Sequence, residues 1–227
     1  EHIIFDDGSD DKDELVDIIN KYPKIKFYSR ENKGQYHTLN DGLKLITGDI
    51  VTIISADDIY CNDFAFRDII NFWKDNPEFD MLYGKTSYIN SKGKKLSSPR
   101  RFLSGSLPIW LLKHFSLIIH CSLFVKKDVI INNNIFFDPK FKYFGDWDWI
   151  IRLLKFKMEF VETHVSSIRR HADQTIVNAN PIINLRERKD ILKKYGLSFL
   201  FHITISNVLL FGSKFIKLIY FFKKKLY

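Results

Sequence analysis

A short apolar run that ends in two adjacent acids is the feature that most constrains how this 227-residue chain can fold. In the stretch DIVTIISADDIY (residues 49–60), β-branched residues lead directly to Asp57 and Asp58. Such a run is typical of a strand buried in a parallel sheet, and open α/β sheets bind ligands at the carboxyl ends of their strands. Two carboxylates there repel each other unless a divalent cation or a ligand hydroxyl lies beside them. The pattern predicts an α/β fold with a site at these acids; a solvated turn that merely ends the strand is the alternative.

The beginning of the chain repeats this pattern, because the apolar run His2–Phe5 is followed by Asp6 and Asp7. These acids also suit the entry to a helix, where carboxylates face the positive end of the helix dipole. Residues 31–42 (ENKGQYHTLNDG) then combine Gly34, which permits a tight turn, with an apolar stripe at helical spacing. A helix that begins near Gly34 would direct its N-terminus at the same strand ends, where a phosphate can be held.

A third acidic cluster lies near the end of the α/β pattern. Asp146, in the sequence GDWDW, falls at the N-cap or first turn of a predicted helix. It is therefore either a helix cap or a base that faces a cleft. After the predicted strand Phe160–Ile168, two arginines precede His171. A lone histidine is more often structural, but this grouping suits phosphate binding.

Composition narrows the class of protein. A hydrophobic content of 45% allows one domain with a sizeable core, and two cysteines without metal-ligand spacing favour reduced thiols in a cytosolic protein. The net charge of +8 comes from residues 181–227, which hold ten Lys and Arg against two Asp and Glu, so residues 1–180 are neutral. A core that binds nucleic acid is therefore not expected.

The C-terminal residues 181–227 predict a basic, amphipathic helical tail after a domain of residues 1–180. No charged residue occurs in the 18 positions of residues 196–213, and five lysines then alternate with aromatic and aliphatic residues. This mixture is typical of a helix that lies in a membrane interface. We expect residues 197–227 to dock the protein on the cytoplasmic face of the cell membrane without spanning it. A terminal helix packed in the core is the alternative.

Together these motifs resemble the family 2 inverting glycosyltransferases, which have the GT-A fold. The matching stretches run in the family's order from residue 1 to about residue 174: EHIIFDDGS, ENKGQYHTLNDG, TGDIVTIISADDIY, YGKTSYINSKG, GDWDWIIRL and RRHADQ. The resemblance implies a Rossmann-like, mostly parallel central sheet flanked by helices. The family begins with a further strand and helix, so we also expect a unit of about 30 residues to be missing before Glu1.

The resemblance further implies sugar transfer from a nucleotide-diphosphate sugar, with UDP favoured, to a glycan or lipid-linked acceptor in bacterial surface-polysaccharide synthesis. On the nucleotide side, Asp7 matches the family position that contacts the nucleotide, and Asp57 would touch the ribose. Lys33 and Gln35 lie in the segment that contacts the nucleotide.

At the reacting end, the resemblance implies that Asp58 binds a divalent ion, Mn²⁺ or Mg²⁺, which bridges the diphosphate. His171 would lie near this ion and the diphosphate, and Asp146 would be the base that deprotonates the acceptor hydroxyl. An inverting transfer needs one such base and no enzyme nucleophile. A catalytically inactive nucleotide-sugar-binding homologue or scaffold is the alternative function. A Rossmann-type oxidoreductase is disfavoured because no G-x-G-x-x-G follows a strand.

Overall fold

The structure, a computed structural model, describes residues 1–96 and 108–204. The lysine-rich part of the predicted tail, residues 205–227, lies outside the described residues. The first part of the chain alternates strand and helix, as the α/β pattern predicts. Its elements are β1 (His2–Asp6), α1 (Lys12–Ile19), β2 (Ile25–Ser29), α2 (Gln35–Leu45), β3 (Ile50–Thr52), β4 (Ile59–Tyr60) and α3 (Ala65–Asp75).

The second part begins with the longer strands of the main sheet and ends in helices. Its elements are β5 (Met81–Asn90), β6 (Lys95–Leu96), α4 (Ile109–His114), a 3₁₀ turn (His120–Ser122), β7 (Leu123–Lys126), α5 (Lys127–Ile131), α6 (Gly145–Leu153), β8 (Met158–Arg170) and α7 (Pro181–Lys194). Residues 199–204 are also helical.

Two sheets form within the described residues. β1 and β2 pair in parallel, and the larger sheet has the strand order β3-β7-β5-β8-β4, with β6 beside β5. In the larger sheet only β5 and β8 are parallel, so the expectation of a mostly parallel sheet is wrong and the sheet is mixed. The reason is physical: an apolar run identifies a buried strand, but it does not encode the direction of the neighbour with which the strand pairs.

The antiparallel pairs decide where the site residues lie. Thr52 of β3 is paired with Phe124 of β7, so the residues after β3 face the 3₁₀ turn before β7. Ile59 of β4 is paired with Ser167 of β8, so the acids before β4 lie beside the end of β8. Segments distant in sequence are thus brought to one edge of the sheet.

The main core lies between this sheet and the helices that follow it, and α7 is part of it. Ile191 and Leu192 of α7 are fully buried there, together with Leu153 of α6 and Met81 of β5. A second, smaller cluster packs α3 against the sheet. Within residues 1–96 and 108–204, no helix combines the length and apolar character that a membrane crossing requires.

Candidate active site

The turn after β3 carries the acids that the sequence predicts at a strand end. Asp57 Oδ2 lies 3.0 Å from Nε2 of His171, which comes directly after β8. The pairing of β4 with β8 causes this contact, since it places the acid turn beside the last residues of β8. Two predicted site residues that are 114 positions apart in sequence therefore meet.

Asp58 is half-buried, and both its carboxylate oxygens accept hydrogen bonds. Oδ1 accepts one of 2.9 Å from the backbone N–H of Arg169, and Oδ2 accepts one of 3.2 Å from Sγ of Cys121. Burial raises the pKa of the Asp58 carboxyl against the effect of these bonds, and the charge of Asp57 adds to the rise. A bound cation would relieve a charge that is disfavoured in this way.

The side chain of Arg169 holds the acid turn in place. Its guanidinium donates to the backbone carbonyls of Asp57 at 2.8 Å and of Ser91 at 3.1 Å. The sequence analysis grouped this arginine with Arg170 and His171 as suited to phosphate binding. In the structure its Nε and Nη1 donate to carbonyl groups, and a phosphate-binding role stays a prediction.

Asp7 lies at the other end of the site and holds the turn that leads into α2. Its carboxylate accepts hydrogen bonds from Arg30 Nε at 3.0 Å and from the backbone N–H of Gly34 at 2.8 Å. Burial alone would raise the pKa of Asp7, but these bonds, with others from Thr38 and Lys33, lower it. As predicted, α2 begins next to Gly34, whose positive φ of 93° suits glycine.

The two other residues predicted on the nucleotide side differ in what they contribute. The backbone N–H of Lys33 lies 3.2 Å from Asp7 Oδ1, and the residue is exposed. Gln35, the first residue of α2, is exposed too but lines both cavities of the site.

Asp146 lies in the first turn of α6, where the sequence places it. Its Oδ1 accepts a hydrogen bond of 2.8 Å from the backbone N–H of Trp147, and its side chain is 26% exposed. The residue before it has to be glycine, because a Cβ at Gly145 would lie 2.6 Å from the ring of Tyr36. The close approach of α2 to α6 thus positions Asp146 while leaving part of its carboxylate open.

The 3₁₀ turn before β7 contributes two residues that the sequence analysis did not assign to the site. His120 Nδ1 lies 3.6 Å from Asp146 Oδ2, and Cys121 donates to Asp58. Burial would lower the pKa of His120, but Cys121 and the Asp146 carboxylate raise it well above its usual value. Neighbouring residues of one turn thus touch the two acids predicted as metal ligand and base. Their only sequence signal is a short polar stretch, His120–Ser122, directly before an apolar strand.

Two adjoining cavities connect these groups. The larger, of about 560 Å³, is lined by Asp57, Asp58 and Asp146. The smaller, of about 330 Å³, is lined by Asp7, and both cavities share Ser55, Gln35 and His120 as lining residues. A further cavity of about 440 Å³, beside Trp73 and Lys126, contains none of the predicted site residues.

Comparison with known proteins decides the family. The sequence profile described as glycosyl transferase family 2 matches residues 1–144, which is more than half of the chain. The chain belongs to this family. The resemblance drawn from the motifs is therefore confirmed.

Curated relatives of this family 2 member include an uncharacterised glycosyltransferase of Rickettsia typhi, 27% identical over 197 residues that cover 85% of this chain and 60% of that protein. Another is the poly(ribitol-phosphate) β-N-acetylglucosaminyltransferase TarP of Staphylococcus aureus, 30% identical over 151 residues that cover 64% of this chain and 43% of that protein. The chain spans only 18% of the length of a Rickettsia felis relative.

Solved structures confirm the GT-A fold of this family 2 chain. TarS 1–349 of S. aureus in complex with UDP-GlcNAc has a TM-score of 0.63 at 16% identity, covering 78% of this chain and 52% of that one. A mannosyltransferase of Pyrobaculum calidifontis, in complex with GDP-Man and Mn²⁺, has a TM-score of 0.50 at 16% identity, covering 73% and 46%.

The acids of this family 2 chain fit a divalent cation that is shared with a ligand. No cluster of three or more His, Cys, Asp or Glu side chains arranged for a metal ion occurs in the described parts of the chain. Mg²⁺ in nucleotide sites is commonly held by one or two carboxylates together with substrate phosphates. Asp57 and Asp58 provide that number of carboxylates, and the disfavoured charge of Asp58 suits a cation.

Proposed function

We propose that the chain is an inverting, metal-dependent glycosyltransferase. It moves a hexosyl or N-acetylhexosaminyl group from a UDP-sugar to a hydroxyl of a glycan or lipid-linked acceptor. The observation that carries the proposal is the larger cavity, whose wall contains both the acid pair after β3 and the carboxylate of Asp146. One side of this cavity can hold the donor's diphosphate, and the other can hold the attacking hydroxyl.

In this proposal Asp146 acts as the general base. Its carboxylate is partly exposed to the cavity, and it takes the proton of the acceptor hydroxyl as the oxygen attacks the anomeric carbon from the face opposite the leaving group. Asp58, with Asp57, would hold a divalent ion, and a bound Mn²⁺ or Mg²⁺ supplies the charge that neutralises the departing diphosphate. His171 fixes the orientation of Asp57 from the other side.

Two comparisons support the choice of substrates. The TarS structure contains UDP-GlcNAc, and the name of TarP assigns it a poly(ribitol-phosphate) acceptor and an N-acetylglucosamine group. They support a UDP-sugar donor and a place in bacterial surface-polysaccharide synthesis.

Mn²⁺-dependent UDP binding tests the metal assignment. We expect Asp58→Asn to weaken UDP binding in the presence of Mn²⁺ by at least about tenfold, because loss of even an outer-sphere partner of a metal costs about that much. Asp63→Asn is the matched control, since Asp63 is an exposed acid of the same segment. Unchanged Mn²⁺-dependent UDP affinity in Asp58→Asn would overturn the assignment, and absence of UDP-sugar turnover in the native chain would favour the inactive homologue.

We also propose that the end of the chain docks on the inner face of the cell membrane, where a lipid-linked acceptor would be presented. Leu200 is 76% exposed, and Trp110 is 52% exposed and contacts Phe201 with ring centroids 6.2 Å apart. Leu200 and Phe201 come shortly before the lysine-rich residues 205–227 in the sequence. Each lysine near an anionic surface contributes about 1 kcal/mol.

Liposome binding tests the docking proposal. The buried His202 donates its Nδ1–H to the backbone carbonyl of His114 at 2.7 Å, and a deletion that starts after Thr204 keeps both residues of this contact. We expect that deletion to abolish binding to anionic liposomes while UDP binding persists, and we expect high salt to weaken binding of the intact chain. An intact chain that ignores anionic liposomes would refute docking.

A further inference from the structure

Arg188 differs from the other half-buried arginines in residues 1–96 and 108–204. Arg30 pairs with Asp7 and Asp41, and Arg152 pairs with Asp148. Arg169 donates to backbone carbonyls. Among the residues that the structure describes, Arg188 has one hydrogen-bond partner, and it is neutral: Nε donates to Asn184 Oδ1 at 3.0 Å.

The sequence leaves little that could neutralise Arg188. All Asp and Glu residues of the chain lie in residues 1–96 and 108–204, and within these ranges no carboxylate forms an ion pair with this guanidinium. The adjacent Glu187 is buried and already accepts the backbone N–H groups of Lys142 at 2.6 Å and Tyr143 at 2.9 Å. Burial lowers the pKa of Arg188, with no opposing contribution from an acid, yet an arginine remains charged at neutral pH.

The guanidinium is also placed where an acceptor would bind. Arg188 lines the larger cavity together with Asp146, and its Cζ lies 4.8 Å above the ring of Phe144, two residues before the proposed base. Lys142 and Arg170 line the same cavity, and Arg170 stacks on Tyr88 at 4.5 Å. The stack on Phe144 holds the planar fork of Arg188, a geometry that matches the two oxygens of a phosphate or carboxylate.

We infer that Arg188 binds an oxyanion of the acceptor, a phosphate or carboxylate group, and thereby holds the accepting hydroxyl beside Asp146. The inference rests on the proposed glycosyltransferase function and adds the acceptor's chemical class to it. The oxyanion would lie in the same cavity as the proposed diphosphate site beside Asp57 and Asp58, and the variants described below distinguish the two sites. The acceptor is accordingly an anionic molecule, and a neutral glycan would leave the guanidinium unpaired.

Three small probes with one carbon skeleton test this inference: glycerol, glycerate and glycerol phosphate. Their binding is measured by ligand-observed NMR on the full chain saturated with UDP and the diamagnetic ion Mg²⁺, so that the nucleotide and metal sites are filled. We expect one or both anions to bind at least about tenfold more tightly than glycerol, the usual scale for a charge-assisted bond. Which anion binds better distinguishes phosphate from carboxylate.

Variants of α7 assign the preference to one side chain. Arg188→Met keeps an apolar stem against Phe144 and removes the charge, so we expect it to abolish the preference for the anion while UDP affinity is kept. Arg188→Lys keeps the charge without the planar fork, so we expect a partial loss; it also serves if the methionine variant does not fold. Arg186→Met is the matched control, because Arg186 is exposed on the same helix.

Several results would overturn the inference: equal binding of all three probes, an equal loss in Arg186→Met, or a parallel loss of UDP affinity in Arg188→Met. The last result would place Arg188 on the donor. If the native chain does not bind UDP, the proposed function fails by itself. The probes are then titrated without nucleotide, and an anion preference that depends on Arg188 still supports an oxyanion site.

Discussion

Asp6 and Asp7 at the end of β1, and Asp57 and Asp58 after β3, follow their strands in the same way, but the protein surrounds the two pairs differently. Asp6 is buried and accepts from the Ser9 N–H at 2.9 Å and from Ser29 Oγ at 2.7 Å. These bonds lower the pKa of Asp6, and the bonds from the α2 turn do the same for Asp7. The pKa of Asp58 is instead raised, first by burial.

The difference separates Asp6 and Asp7, whose charges are stabilised by their hydrogen bonds, from Asp58, whose charge is disfavoured by burial although it accepts two hydrogen bonds. Helix α6 repeats the contrast over two residues. Asp148 is fully buried and is paired with Lys194 at 2.7 Å and with Arg152 at 3.0 Å, whereas Asp146 is partly open to the cavity. An acidic motif by itself therefore does not show which carboxylates are open to a ligand, because that depends on their burial and their partners.

The largest effect that we predict is for Asp148→Ala, which removes an acid that is already paired. The substitution leaves two cations around a vacated buried position, and the loss of one partner of a buried pair costs about 3–5 kcal/mol of the free energy of unfolding. For a chain of this size each 1 kcal/mol lowers the melting temperature by about 2–4 °C. Thermal unfolding measures this change in melting temperature. Asp146→Ala is the control, and its melting temperature should stay close to that of the native chain. Similar melting temperatures of the two variants would contradict the difference between Asp148 and Asp146.

Asp146 of α6 is partly open to the cavity, and Asp146→Asn should lower the transfer rate by at least about a hundredfold, the usual scale for a positioned base. The donor affinity should remain, since the amide keeps the shape of the side chain. Steady-state kinetics with a UDP-sugar and titration with UDP measure the two quantities. Loss of both the fold and donor binding would show that Asp146 is a helix cap, and near-normal turnover would remove it from the mechanism.

The sequence predicts where the helices, strands and acidic motifs of this molecule lie better than it predicts how the strands pair. Apolar runs and stripes locate elements such as β1, α2 and β3, because burial of one face is a local property of the sequence. The acids at strand ends are visible for the same reason. The family resemblance also assigned roles to them, and these roles stay predictions.

Pairing direction and partners across the sheet could not be predicted. The contacts of Cys121 with Asp58 and of His120 with Asp146 depend on the antiparallel register of β3 and β7, which no local pattern encodes. Glu187 is a similar case, since a charged helix residue gives no sign that it will bind the backbone of residues 142–144. Such partners are set by tertiary structure.

A smaller effect is predicted for Asp6→Asn, which should lower the free energy of unfolding by about 1–3 kcal/mol because it disturbs two hydrogen bonds to a buried carboxylate. The pKa of Asp6 is lowered in the folded state, so its contribution is present above the unfolded pKa and is lost as the pH falls through the folded pKa. Denaturant unfolding of the variant and of the native chain is compared at pH 7 and near pH 3. The difference in the free energy of unfolding should be largest at pH 7 and smaller near pH 3. A difference that does not depend on pH would contradict the charge-based explanation.

The smallest predicted effect is a gain in stability, and it tests the comparison of the two acid pairs most directly. In the metal-free protein, Asp58→Asn should raise the free energy of unfolding by no more than about 1 kcal/mol, since a half-buried carboxylate is partly screened by solvent. The folded pKa of Asp58 is raised, so the penalty of its charge is present above that pKa and disappears as the pH falls below the unfolded value. The gain in the variant should therefore be seen at pH 7 and be absent near pH 3.

Addition of UDP and Mn²⁺ should make the native chain the more stable of the two, because ligand binding stabilises only the chain that holds the ion. If metal-free Asp58→Asn is instead less stable than the native chain at pH 7, Asp58 serves Arg169 and Cys121 as a structural acceptor, and the two acid pairs are alike.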